Sequence, residues 1–138
     1  MRVIVAVTAA SGAIYARQCV ELLLQSSYVE RIALIYSREA QAVAESEGVV
    51  LPSDERIEIY SNDDMWASPA SGSARWDSMI IVPSTMGTIG RIASGVSQSL
   101  IERSADVMLK ERRRLVIVAR EAPYSLIHLR NMTTLTEA

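Results

Sequence analysis

Cysteine and histidine each occur once in these 138 residues, and both scarcities narrow the chemistry. With Cys19 alone there is no internal disulfide and no thiolate cluster for a metal, which excludes zinc chemistry and fits a reducing, cytoplasmic compartment. The lone histidine, His128, lies in the apolar segment SLIHL and reads as a packed or interface residue. No nucleophile elbow accompanies it, so a hydrolase triad has little basis. Long apolar runs are missing too. The first, Val3 to Val7, is far too short for a membrane span or the core of a secretory signal. Nor does one sign of charge dominate: 14 basic and 16 acidic residues leave a net charge of −2 and no footprint for nucleic acid. The basic run Arg112-Arg113-Arg114 reads as a solvated helix end. Repeats, low-complexity linkers and a GxGxxG fingerprint are absent.

What is present is an ordinary globular composition, 49% hydrophobic and 22% charged, sized for a single domain over residues 1–138. Apolar, β-branched runs at Val3 to Val7, Ile32 to Tyr36, Met79 to Val82 and Leu115 to Ala119 alternate with helix-like stretches, the pattern of a parallel sheet. Ile57 to Tyr60 adds a short strand. The spacing predicts a first helix from about Gly12 with Ile14, Val20, Leu22 and Leu23 turned inward. A second helix follows Ser37, and a third runs from about Val96 to Lys110. Ser61 to Trp76 carries too many Ser, Asp, Pro and Gly residues for a regular element and is expected to be a long connection, a common place for function. The last helix-like stretch, Tyr124 to Thr136, has no strand after it, although a parallel sheet normally continues with one.

The strongest site signal is Arg120-Glu121. Leu115 to Ala119 reads as a strand covered on both faces, and a charged pair at its far end stands where open α/β sheets bind ligands. Buried there, the two charges need each other, another chain or a charged ligand. Thr8 to Gly12, TAASG, joins the first strand to the first helix, where unpaired N–H groups suit an anion; Ser11 serves there as a donor or as a plain helix cap. Pro83 to Thr88 forms a second hydroxyl-rich turn, and two such turns on one sheet edge fit one shared ligand with phosphate, ribityl or ribose oxygens. Either turn alone is better read as plain helix capping. Arg103, Asp106 and Lys110 share one helical stripe, which an exposed salt-bridged face also explains; Glu47 alone is a surface carboxylate.

Taken together, TAASGAIY, Ser37-Arg38-Glu39-Ala40, PASGS at Pro69 to Ser73, the PSTMGT turn and ERSADVMLKERRRLVIVAREAPYSLIHLRNM closely resemble the UbiX-type flavin prenyltransferases, over nearly the whole chain. The resemblance implies a three-layer, flavodoxin-like (Rossmann-like) α/β domain with helices on both faces of a parallel sheet. It further implies a homo-oligomer, commonly a dodecamer, with FMN bound at subunit contacts. Such enzymes transfer a dimethylallyl group from dimethylallyl phosphate to N5 and C6 of reduced FMN, without a metal. The prenylated FMN then serves a UbiD-type decarboxylase.

Carried over by motif, Ala9, Ala10 and Ser11 match the first FMN loop, Ser37 follows the second strand, and Thr85, Met86, Gly87 and Thr88 match the second loop, joined by Arg120. Glu47, Arg103, Lys110 and Glu121 match polar residues around the prenyl phosphate and the reacting flavin; Ser71 falls in the PASGS loop. In this assignment Glu47, Lys110 and Glu121 are catalytic and Arg103 binds cofactor. Three departures stand out. Ala9 replaces a glycine, and Met65-Trp66 stands where related chains carry Trp-Met. The family's further strand and C-terminal helix, with a tyrosine and an arginine for the prenyl phosphate, are expected to be missing. Two other readings share the fold or the cofactor: a flavin-dependent cysteine decarboxylase, which needs an early histidine and an Asn-bearing loop motif that this chain does not match, and a non-enzymatic FMN-binding protein.

Overall fold

A computed structural model describes all residues, Met1–Ala138. Five parallel strands form one sheet: β1 (Arg2–Val7), β2 (Arg31–Tyr36), β3 (Ile57–Ser61), β4 (Ser78–Ser84) and β5 (Arg114–Ala119). Their order is β3-β2-β1-β4-β5. This is the expected α/β class, with the strand order of the dinucleotide-binding doubly wound folds. The helices are α1 (Ala13–Gln25), α2 (Ala40–Ser46), α3 (Met86–Ala93), α4 (Leu100–Lys110) and α5 (Leu126–Glu137).

Strand alternation sends side chains to opposite faces and so divides the core in two. Ile4, Ile35, Met79 and Ile81 pack with Trp76, Leu100, Ile101 and Met108 under α3 and α4. Val3, Val5, Val7, Ile32 and Leu34 pack with Ala16 and Val20 of α1 and Ala40 of α2. Each fully buried branched side chain contributes about 1.5–3 kcal/mol. The expected inward face of α1 is corrected in part. Val20 is buried and Leu23 packs against the core, but Ile14 and Leu22 are 41% and 65% exposed. Ala13 and Ala16 take the inner face instead, and small residues let the helix lie close to the sheet.

The expected third helix, from about Val96 to Lys110, is α4, and a further helix stands before it where a turn was expected. α3 begins directly after β4, capped by Thr85, and ends where Gly95 takes a left-handed φ of 75°. The chain starts again at Ser99, whose hydroxyl accepts from Glu102 N. The long connection before β4 is irregular as expected, apart from two short 3-10 turns, Ser68–Ala70 and Gly72–Ala74. It is also firmly held. Trp76 is 1% exposed, its indole donates to Ser68 Oγ, and Arg113 donates to the carbonyls of Trp76 and Gly72.

The expectation that the last strand is covered on both faces is overturned. β5 is an edge strand, and its Val116 and Val118 are 41% and 40% exposed. Arg120 and Glu121 are consequently exposed and make no ion pair with each other, so burial imposes no pairing within this chain.

Candidate functional site

The chain leaves β1 toward β2 on one side, and β4 lies on the other. Strand order reverses here, and the crevice beyond the carboxyl ends of β1 and β4 is where open α/β sheets take ligands. Both hydroxyl-bearing turns meet at it. Thr8, at the end of β1, is 2% exposed; its hydroxyl donates to Pro83 O at 2.8 Å and accepts from Thr85 N at 2.9 Å. Beyond it, the N–H groups of Ala9, Ala10 and Ser11 meet no protein acceptor. Across the crevice, Thr85 Oγ1 accepts from Thr88 N and lies 2.8 Å from Thr88 Oγ1. The second turn is thus the capped start of a helix, and capping and ligand binding do not compete. The cap satisfies the Thr88 N–H, while the helix geometry leaves Met86 and Gly87 without intrahelical acceptors.

Ser37 opens the adjoining side. Its N–H donates to Val7 O at 2.9 Å, which ties the end of β2 to the end of β1. Its hydroxyl is buried with no partner. A buried polar atom of this kind calls for a ligand or water. Tyr36, Arg38, Gln41, Tyr60 and Asn62 line a cleft beside it of about 380 Å³. Burial, helped by the Glu58 carboxylate, pushes the Tyr60 phenol up to about 12, so it remains a neutral donor there.

The first turn differs from expectation in one respect. Ser11 makes no capping hydrogen bond; the cap position is Gly12, whose φ of 103° is left-handed. A side chain at Gly12 would also strike the Tyr15 ring, with a Cβ only 2.9 Å from it. The N-terminus of α1 is not free for an outside anion. Glu47, directly after α2, accepts from Gly12 N at 3.1 and 3.2 Å and from Ala13 N at 2.9 Å. A carboxylate placed there is favoured by the helix dipole. Glu47 therefore adjoins the first loop as its counterion.

The remaining charges fall into two groups. Arg120 N donates to Ser84 O at 3.1 Å, which puts Arg120 and Glu121 beside the second turn. Glu121 accepts only from Ala122 N, at 3.1 Å. Lys110 lies elsewhere. α4 starts near the end of β3, where Leu100 N donates to Asn62 O, and runs back to Lys110, three residues before Arg113. Arg113 grips Trp76 and Gly72, just ahead of β4. Lys110 and Ser71 thus stand at the amino edge of the sheet, about 20 Å from the crevice, since strands of this length rise about 3.3 Å per residue. The expected stripe forms in part. Arg103 pairs with Asp106 at 2.8 Å and donates to Ala70 O, while Lys110 turns to Glu111 and holds that carboxyl below the ordinary range.

Thr8 was not singled out within its motif, and only its place at the end of a buried strand could have marked it. The pair Arg91–Glu102 was missed as well. Glu102 is buried, and its Oε1 accepts from Arg91 Nε at 2.6 Å beside Thr88. Cys19 is half-buried, and burial raises its thiol, which makes it a poor nucleophile. His128 caps α5: Ser125 Oγ accepts from His128 N while His128 Nδ1 accepts from Ser125 N.

Comparison with known proteins decides the family. The Flavoprotein family model matches residues 1–138. Flavin prenyltransferase UbiX of Thermoplasma acidophilum is 44% identical, covering 99% of this chain and 76% of that protein. Flavin prenyltransferase UbiX of Methanocaldococcus jannaschii is 40% identical over 99% of this chain and 74% of its own. The chain belongs to the UbiX-type flavin prenyltransferases.

Among solved structures, AnUbiX in complex with FMN and dimethylallyl pyrophosphate superposes with a TM-score of 0.89 at 45% identity, covering 99% of this chain and 73% of that one. A dodecameric FMN-dependent UbiX-like decarboxylase from Escherichia coli O157:H7 gives 0.90 at 36%, over 99% and 75%. The peptidyl-cysteine decarboxylase EpiD, at 16% identity and a TM-score of 0.71, shares the fold alone.

Proposed function

We propose that this UbiX-type chain transfers a dimethylallyl group from dimethylallyl phosphate, or its pyrophosphate, to reduced FMN, giving prenylated FMN and the free phosphate or pyrophosphate. The observation that carries the reading is the switch-point crevice. It gathers unpaired N–H groups at Ala9–Ser11, an unpartnered buried hydroxyl at Ser37 and the Thr85–Thr88 turn, a donor set suited to phosphate and ribityl oxygens. Similarity to a flavin prenyltransferase with both ligands bound supports it.

Bound reduced FMN supplies the electron-rich ring atoms that receive the alkyl group. The chain's residues do the rest. Ala9, Ala10, Ser11, Ser37, Met86, Gly87 and Thr88 would hold the flavin, and Arg120 would add a cation beside the second turn. Glu121 has one oxygen turned to Ala122 N and the other free to carry a proton. Glu47 holds the first loop in place and offers negative charge beside it. Lys110 and Arg103 stabilise the departing phosphate.

Within one chain Lys110 lies too far from the crevice for that role, so a neighbouring copy supplies it, in a homo-oligomer like the dodecameric relative. The product would pass to a UbiD-type decarboxylase in the cytoplasm; no helix here is long and apolar enough to cross a membrane. The test is anaerobic incubation with reduced FMN and either donor, followed by mass spectrometry of the extracted flavin. Prenylated flavin is expected. Tight FMN binding with unchanged flavin from both donors would instead favour a flavin carrier.

A further inference from the structure

We infer that Thr8 is a positioning residue for flavin binding: its hydroxyl sets the separation of the two loops between which the flavin lies. The inference rests on the proposed FMN site and goes beyond the residues that line it. Thr8 is 2% exposed and its hydroxyl is fully used inside the protein, so it does not reach a ligand itself.

The geometry is that of a rivet. One hydroxyl donates to Pro83 O at 2.8 Å and accepts from Thr85 N at 2.9 Å, while Thr8 N also reaches Pro83 O at 3.3 Å. All three contacts join the end of β1 to the end of β4, beyond their last paired residues, Ala6 and Ile81. The next residue on one side is Ala9, the first free N–H of the first loop. On the other side, Thr85 caps α3 and holds Thr88. The same contact occupies the Thr85 N–H, so a ligand at the second loop is left with the N–H groups of Met86 and Gly87. A valine has the same shape without the hydroxyl. It would strand the part-buried Thr85 N–H and leave the Pro83 carbonyl only the longer contact from Thr8 N at 3.3 Å, and the N–H would recover a partner only by moving the loops apart.

FMN affinity of the full chain, measured by fluorescence titration at a temperature where circular dichroism shows every variant folded, tests this. Thr8→Val is expected to weaken FMN by about tenfold or more, the effect of leaving such groups unpaired. Thr8→Ser, which keeps the hydroxyl, is expected to restore affinity to within about threefold. Val29→Ala is the control, since Val29 belongs to the core cluster that holds Val7 and Val82, the chain neighbours of Thr8 and Pro83, but precedes β2 at the opposite edge; it should lower the melting temperature and leave FMN affinity unchanged.

Wild-type affinity in Thr8→Val, a serine variant as weak as the valine one, or an equal loss in Val29→Ala would overturn the inference. If Thr8→Val does not fold, Thr8→Ala replaces it in the same comparison. Failure of the unaltered protein to bind FMN would instead bring down the site reading, and this inference with it.

Discussion

The two edges of the sheet are built to opposite ends. At the amino edge, polar groups are closed off by the chain itself: Arg113 reaches two carbonyls, Asp77 accepts from Arg2 N, and Trp76 donates to Ser68. Arg2 Nε has no acceptor, but its guanidinium lies 4.6 Å from the Trp76 ring centre, a cation–π contact. At the carboxyl edge, three consecutive N–H groups and the Ser37 hydroxyl are left open. The same parallel strands feed both edges. The difference lies in the loops: a long connection, pinned by arginines, seals one edge, while short turns into capped helices expose backbone donors at the other.

The sharpest break in this comparison comes from Glu121→Gln at the open edge. Prenylation is expected to fall by about a hundredfold or more while FMN is retained, because the change removes a proton-carrying group and leaves the shape. Turnover of a reduced-flavin sample checks it, and near wild-type rates would remove Glu121 from the chemistry. At the closed edge, Trp76→Ala should cost about 3–5 kcal/mol of stability by denaturant unfolding, the effect of emptying a fully buried aromatic site. A loss below about 1 kcal/mol would show that the connection is not held there.

A smaller effect is expected at the second loop. Thr88→Val removes a hydroxyl linked to Thr85 and should weaken FMN by about tenfold by titration. The least effect is expected on the outer face of α1. Leu22→Ser, at 65% exposure, should shift stability by less than about 0.5 kcal/mol. A larger loss would place that face against another chain.

Much of the architecture was legible because β-branched runs announce buried strands: Val3 to Val7 and Ile32 to Tyr36 fall where expected. α3 was not, since Gly87, Gly90 and two threonines in nine residues read as a turn, and only packing against α5 and α4 makes them helical. The inward face of α1 was misread because small Ala13 and Ala16, not the larger Ile14 and Leu22, set the approach to the sheet. Val116 and Val118 share the one face of β5 that is left open while Leu115 and Ile117 on the other are partly covered, and a run of apolar residues does not encode which face is covered. Within the site, the motif Thr8 to Gly12 was visible. The contact between Glu47 and Gly12, 35 residues apart, exists only in three dimensions.

On the proposed mechanism, residues from opposite edges of the sheet, Glu121 at the crevice and Lys110 at the end of α4, work together only across copies of the chain. Co-refolding Glu121→Gln with Lys110→Ala, each inactive alone, and assaying flavin prenylation tests it most directly. Turnover reappearing in the mixed oligomer is the predicted result, because some interfaces then combine an intact Glu121 from one copy with an intact Lys110 from another. A mixture that forms the oligomer, binds FMN and stays as inactive as its parents would contradict the claim.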